Sequence, residues 1–479
     1  MVTPVLGLDS PHPCPCGPLG SRAWPLAPAL VLVLALGCNG GESDDDGSST
    51  TATTMPSPTG DPSTGTPSDP TATCPAGNLG CPCQSGNTCE QGVCMEGTCV
   101  ESSNSTSTTA SVDSGSSDDT EDATPACGNG SPEPGELCYG QVSFFQSTPD
   151  ARFATLTDFD DDMHLDLLLA GTADNVVAIR LGDGTGDLSP ELTYPAGPGP
   201  VSVGVGAFGG DEALDVVVAQ QGSNAIAVLL GDGNGGLLGP PLPDTVGLAP
   251  SALLVTDFDG DGTSDVLTAD SASNTVTYLE GVPGAGFAPP VSFLVGAGPS
   301  DLFVGELSGD ANLDLVVTNA AANSFGVLLG TGVATLGTHT PTSTGTTPGS
   351  LSVGDFNGDG NLDLVTANLG TDDLRLRYGD GTGTFAAEIP FPVGADPRSL
   401  VALDFDGDDT LDLAVANTGA NTVTVLLGTG GGMFAAPRVF EVGAQPWSLA
   451  AGDLNEDGLA DLIAGCVGES TLAVLLSEA

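Results

Sequence analysis

The sequence predicts an all-β chain: a seven-bladed β-propeller of four-stranded blades, closed by its N-terminal strand. A disordered, disulfide-containing segment is expected to precede it. Three observations carry this. First, a nine-residue acidic loop recurs, opening at Asp158, Ala207, Asp257, Glu306, Asp355, Asp404 and Asp453, at steps of 49 or 50 residues. A fixed period of that length denotes a solenoid, a propeller or an array. Second, short apolar runs lie between the loops, such as Asn224–Leu230 and Asn421–Leu427. Near-continuous runs of this kind are strands buried on both faces. Third, the repeat is permuted. The last unit stops after a third strand, Thr471–Leu476, while Val142–Gln146 matches a fourth strand such as Val291–Val295. Pairing the two would close a ring of seven and leave no bare edge, whereas an open solenoid would need caps.

The fifth unit shows the elements of one blade. Its strands are expected at Ser350–Phe356, Leu362–Ala367, Leu374–Tyr378 and Glu388–Val393. A proline stands seven residues before six of the loops: Pro200, Pro250, Pro299, Pro348, Pro397 and Pro446. Third and fourth strands are joined by glycine-rich turns, GDGTGD from Gly182, GDGNGG from Gly231, GDGTGT from Gly379 and GTGGGM from Gly428. Glycine supplies the positive φ that such tight connections need.

The loops have the chemistry of a hard-cation site. In GDFNGDGNLDL, Asp355, Asn357, Asp359 and Asp363 occupy positions 1, 3, 5 and 9, with Gly360 at position 6. Calcium takes six to eight oxygens, and the EF-hand loop draws on positions 1, 3 and 5 and a backbone carbonyl at 7 in the same way. Here the position-7 carbonyl belongs to Asn361. Equivalent full sets are Asp257, Asp259, Asp261 and Asp265 with Thr263, and Asp453, Asn455, Asp457 and Asp461 with Leu459. Asp404, Asp406, Asp408 and Asp412 with Thr410 have Asp409 in place of the glycine. Asp158, Asp160, Asp162 and Asp166 with His164 have Met163 there, a poorer fit. Glu306, Ser308, Asp310 and Asp314 lack a carboxylate at position 3, so that site is doubtful. Ala207 and Gly209 leave the second loop without metal. Four to five calcium sites are therefore expected, pinning the blades. The plainer alternative is a set of Asx-turns holding no ion.

Charge points the same way. The chain has 62 acids against 7 basic residues, all of them Arg, for a formal net charge of −55. Of the acids, 27 fall in the seven loop windows, which contain no Arg. Such a balance argues against nucleic acid or an anionic membrane surface as partner, since both need a basic patch.

The N-terminal part reads differently. Residues 1–37 are expected to be a signal peptide, with Ala23–Gly37 as an apolar run too short to span a membrane. Ala35-Leu36-Gly37-Cys38 resembles a bacterial lipobox, which implies Cys38 as the lipidated first mature residue. Residues 38–73 and 100–126 are Ser/Thr/Pro/Asp-rich and read as flexible tethers. Between them, residues 74–99 carry Cys74, Cys81, Cys83, Cys89, Cys94 and Cys99. Six cysteines in so small an exported unit imply three disulfides, with fifteen connectivities open. Zinc is the weaker reading, because no His is near. The stretch 127–138, CGNGSPEPGELC, resembles a cysteine-rich repeat of bacterial surface proteins, and that resemblance implies a Cys127–Cys138 bridge. Cys466 is left as a buried small apolar residue.

Over 142–479 the recurrent DFNGDG.LDL motif resembles FG-GAP/VCBS repeats, those of the integrin α-chain propeller. The resemblance implies a seven-bladed propeller with calcium loops between the first and second strands of a blade. It does not imply a single activity, since the module serves adhesion receptors, anchored surface proteins and accessory domains of hydrolases and lyases. Strand alternation puts the loops and the glycine-rich turns on one face. On the other face, the positions after the proline hold Val201, Ser251, Ser300, Gly349, Arg398 and Trp447. Arg398 and Trp447 stand out there as candidate ligand contacts, because Arg and aromatic residues dominate binding hot spots. The plainer reading has Trp447 covering the rim of the pore. His12, His164 and His339 lack a nucleophile partner. The expected function is thus a surface-anchored, calcium-binding adhesion or structural module, monomeric, with a protein or glycan ligand. A polysaccharide-acting enzyme on the same scaffold is the alternative.

Overall fold

The computed structural model describes residues 139–211, 213–284 and 286–477, together with Leu137 and the backbone of Val93–Met95 and Thr98–Val100. The last two strands form an antiparallel hairpin with Cys94 opposite Cys99 in register. The expectations for Cys38, Cys74, Cys81, Cys83, Cys89, Cys127 and Cys138 lie outside the described residues.

The propeller is as the period implies, with seven four-stranded antiparallel sheets. Each blade repeats one order. In the fifth it runs Pro348–Gly354, Asp363–Asn368, Asp373–Arg377, Ile389–Pro392, with each strand beside the next. First strands of neighbouring blades pack in a ring around the axis, the seventh against the first. All seven second strands are buried along their whole length, as in Asp166–Gly171 and Asp461–Cys466. Each hydrophobic cluster lies between two blades rather than within one. Leu156, Leu167 and Leu169 of the first blade, for example, pack on Ile463, Leu472 and Val474 of the seventh. At roughly 1.5–3 kcal/mol per buried aliphatic side chain, contact between sheets is what holds the ring. In the third and fourth blades the turn after the third strand is paired as a short two-stranded ribbon, where the first, fifth and sixth have a single bridge over the same span.

The ring closes as the permuted ends require. Ser143–Gln146 pairs with Thr471–Leu475, Ser143 opposite Val474 and Gln146 opposite Thr471. Phe145 packs into the core between the seventh and first blades, while Leu137 is buried between the sixth and seventh. Tyr139 meets Phe440 edge-on at 5.2 Å. Two arginines hold this segment by its carbonyls, Arg180 donating to Gln146 and Arg438 to Leu137. Cys466 is buried and unpaired, its thiol pushed up to about 11 by burial.

Turns between second and third strands show a device not read from the sequence. Asn175, Asn224, Asn274, Asn323 and Asn421 all adopt positive φ. Their side-chain oxygens accept from the backbone N–H two residues or less before the next blade's first strand, as Asn274 does from Gly298 at 2.9 Å. Asp372 does the same for Asp396 N, so six blades each fix the entry of their successor.

Candidate metal loops and axial cavity

The acidic loops have one geometry. The position-9 carboxylate is buried at the start of the second strand and grips two backbone amides. Asp363 accepts from Phe356 N at 3.1 Å and Gly379 N at 2.9 Å. Asp166, Asp215, Asp265, Asp314, Asp412 and Asp461 make the same pair of bonds. This clamp ties the loop to the glycine turn, and it persists in the second blade, where the other ligand positions are lost. Position 1 faces the next amides: Asp257 accepts from Gly260, Asp261 and Gly262. In the fourth blade Glu306, one carbon longer, accepts from Ser308, Gly309 and Asp310.

Two residues are left-handed in six of the loops, not one. In the fifth loop they are Gly358 (φ 75°) and Gly360 (φ 86°). The first loop places Asp161 and Met163 there, at 62° and 76°. A left-handed non-glycine residue costs roughly 1–2 kcal/mol. Met163 is 84% exposed, so its side chain has little burial to lose. Met163→Gly is therefore expected to raise stability by about 1 kcal/mol, read as a higher urea midpoint at unchanged slope.

Carboxylates at positions 1, 3 and 9 converge in three loops: Asp158, Asp160 and Asp166; Asp257, Asp259 and Asp265; Asp404, Asp406 and Asp412. Within each trio one oxygen per residue lies within 4.8 Å of the others. In the fifth and seventh loops the third position is an amide, Asn357 or Asn455. The position-5 acids stand outside the trios and cap position 7, as Asp261 accepts from Thr263 N, Asp408 from Thr410 N, Asp359 from Asn361 N, Asp457 from Leu459 N and Asp162 from His164 N. Asp160 Oδ1 and Asp406 Oδ1 are buried with no hydrogen-bond partner. A buried anionic oxygen without a donor is costly unless a cation meets it, so the residues present fit a metal ion. Burial and neighbouring carboxylates raise the pKa of Asp160 and Asp406. Burial likewise lifts Asp166 and Asp363 to about 6 and Asp412 to about 7. The His164 ring turns away from its own loop to Glu456 of the seventh blade, at 2.5 Å, and that bond raises its pKa.

At the opposite end of the axis lies a cavity of about 370 Å³. Its rim is made by a bulge repeated in every first strand. Pairing skips one residue between Pro397 and Ser399, between Pro446 and Ser448, and at the equivalent place in the other five blades. A bulge re-aims the unpaired side chain. The skipped residues are those of the sequence column after the proline, joined by Arg152 of the first blade, and all seven line the cavity. Arg152 escaped the sequence reading because Ala151 stands where the other blades have proline. Arg398 and Trp447 are together, the guanidinium 3.6 Å from the ring centroid, with that of Arg152 at 4.9 Å. Asp301 also faces the cavity. Its carboxylate receives Ser350 Oγ at 2.9 Å and the amides of Leu302 and Leu351, which joins the fourth blade to the fifth. Burial lifts its pKa to about 6.

Six overlapping stretches of the chain match the FG-GAP-like repeat: 158–218, 208–268, 257–317, 306–366, 355–415 and 404–464. No curated protein matches the whole sequence significantly. Among solved structures, the chain is similar to BBS1N in its complex with ARL6DN, at a TM-score of 0.52 and 14% identity, covering 71% of this chain and 97% of that one. It is also similar to a catalytically inactive virginiamycin B lyase from Staphylococcus aureus, at a TM-score of 0.48 and 15% identity over 71% of this chain and 99% of that one. The V. cholerae biofilm matrix protein Bap1 follows at 0.42 and 11%, over 67% and 76%. At 14% identity the likeness to BBS1N is one of fold. The matched repeats span most of the chain, each running from one acidic loop into the next, and the chain belongs to the FG-GAP-like repeat family.

Proposed function

We propose that this protein is a calcium-loaded binding module carried at the cell surface, its ions structural and its ligand held by the propeller. The observation that carries the calcium is the pair of orphaned oxygens, Asp160 Oδ1 and Asp406 Oδ1, each beside two further carboxylates. Oxygen-only donors at a flexible loop suit calcium better than a soft metal, and magnesium would ask for a stricter octahedron. Calorimetric titration tests it. Saturable calcium uptake that loses one site in Asp406→Asn is expected, and an absence of heat at millimolar calcium overturns it. The surface assignment draws on the lipobox-like Cys38 and the long polar tethers. Labelling with a fatty-acid analogue, lost in Cys38→Ser, is its test. A ligand captured by the immobilised propeller with calcium and released by chelator would support the binding role.

An enzymatic role has less to draw on. Asp301 is the acid in the axial cavity, but three donors already occupy its oxygens, and it sits where a bridge between blades is needed.

The raised carboxyl pKa values give the metal-free protein a pH signature. Asp166, Asp363 and Asp412 titrate at about 6 to 7 when folded, against about 4 unfolded. The folded state then holds more protons across that window, so stability falls as pH rises through it. Chelated protein is expected to melt several degrees higher at pH 5 than at pH 7.5. Calcium, by favouring the ionised carboxylates, should abolish or reverse the difference.

A further inference from the structure

We propose that the axial cavity opposite the metal loops is an anion site, taking the carboxylate of a small polar acid between the guanidiniums of Arg398 and Arg152 beside Trp447. The proposal deepens the binding-module reading and rests on it.

The first ground is an unpaired cation. Of the arginines among the described residues, Arg180, Arg375 and Arg377 pair with acids, and Arg438 donates to a carbonyl. Arg152 shares Asp150 at 2.9 Å. Arg398 has no hydrogen-bond acceptor for any of its N–H groups, and its Nε is buried. Its guanidinium lies on the face of Trp447, and Asp396 and Arg152 act on it only through space. In a chain with nearly nine acids for each Arg, a half-buried guanidinium with no carboxylate on it is poised for one from outside. A planar guanidinium matches a carboxylate through two parallel bonds.

The second ground is how the group is held. Arg152, Arg398 and Trp447 come from the first, sixth and seventh blades, at the same bulge position in each. Two like charges are brought to one ring; Asp150 pairs directly with Arg152, while Asp396 acts on Arg398 through space without bonding to it. Other blades contribute small side chains to this column, Ser251, Ser300 and Gly349, and the Asp301 carboxylate beside them is taken up by Ser350 and two backbone amides, so the opposite half of the cavity is open to the body of a ligand. The hydroxyls of Ser251 and Ser300 donate to carbonyls of the next blade, Pro299 and Pro348, which leaves them as acceptors for a hydroxylated molecule. About 370 Å³ lies at the small end of ligand pockets and suits a single acidic sugar or end group rather than a polymer chain.

The overall negative charge does not forbid this. First strands of seven residues place the acidic loops roughly 23 Å from the cavity mouth. That is nearly three Debye lengths of about 8 Å at physiological salt.

Trp447 reports on its own site, since the chain's other tryptophan, Trp24, is removed by Trp24→Phe. In that background the full chain, calcium present, is titrated with D-galacturonate, its neutral counterpart D-galactose, and inorganic phosphate. Expected is a saturable change in Trp447 emission with galacturonate in the millimolar range or tighter, and none with galactose. Arg398→Gln should weaken binding by about tenfold or more, with Arg398→Lys recovering part of it. Arg152→Gln, which alters a half-exposed side chain, should weaken it less and guards against misfolding of the Arg398 variant. Equal responses to galacturonate and galactose, or unchanged affinity in both Gln variants, would overturn the proposal. Binding of phosphate in preference to galacturonate would overturn the carboxylate assignment. Calcium uptake is read by heat and this site by emission, so either can fail alone.

Discussion

A chain that begins at Thr148, and so lacks the closing strand, is expected to lose cooperative folding. The deleted segment contributes buried Leu137, half-buried Tyr139 and Phe145, and a strand paired residue for residue with Thr471–Leu475. At roughly 1.5–3 kcal/mol for a fully buried large apolar side chain and about half that for a half-buried one, burial alone is worth about 3–6 kcal/mol. Whole domains are stable by only about 5–15 kcal/mol. The deletion also strips Arg180 and Arg438 of their carbonyl acceptors and bares the edge of the seventh sheet. Size-exclusion chromatography should show aggregates, and thermal unfolding a broad slope without a transition. Phe145→Ala is the graded version. It should cost about 2–3 kcal/mol and leave a two-state melt, because this ring is half exposed rather than deep in the core. A truncated chain that melts as sharply as the intact one would show that the ring does not depend on its clasp.

Removal of calcium is expected to have the next largest effect. With dissociation constants of about 0.1–1 mM and calcium of about 1 mM, each site contributes roughly 0.4–1.4 kcal/mol by mass action. Five sites acting together give about 2–7 kcal/mol, or roughly 3–10 °C in melting temperature for a domain of this size. Carboxylate repulsion within the emptied trios adds to the loss. Scanning calorimetry with and without EDTA measures it directly, and magnesium in place of calcium should restore only part. An unchanged melting temperature would leave the loops held by their backbone clamps alone.

Those clamps mark the limit of what the sequence discloses. The blades were legible because the period repeats seven times and every loop begins with an apolar second residue, so one unit read well reads all the others. The closing strand was legible because Val142–Gln146 matches a fourth strand lacking its own blade. The amide clamp made by the position-9 aspartates was not legible, since an acid that grips two amides and an acid offered to a metal are the same letter. Nor was the second left-handed position, which is glycine in the fifth loop but Asp161 in the first and Glu456 in the seventh. The axial cavity was half visible. Arg398 and Trp447 stood out as large residues in a column of small ones, but Arg152 was hidden by the missing proline. The bonds from Arg180 and Arg438 to the closing segment join residues far apart in the chain and leave no local pattern to read.

Because the strand Ser143–Gln146 finds its partner only at Thr471–Leu475, the ring cannot be finished until nearly all of it has been made. At ribosomal speeds of roughly 5–20 residues per second, that early strand waits on the order of tens of seconds for its mate. The nascent chain therefore carries an unfilled seat throughout its birth, and a stalled or cut product keeps it. A product cut short before Thr471 thus keeps an unpaired strand, the kind of open sheet edge that invites pairing with another chain.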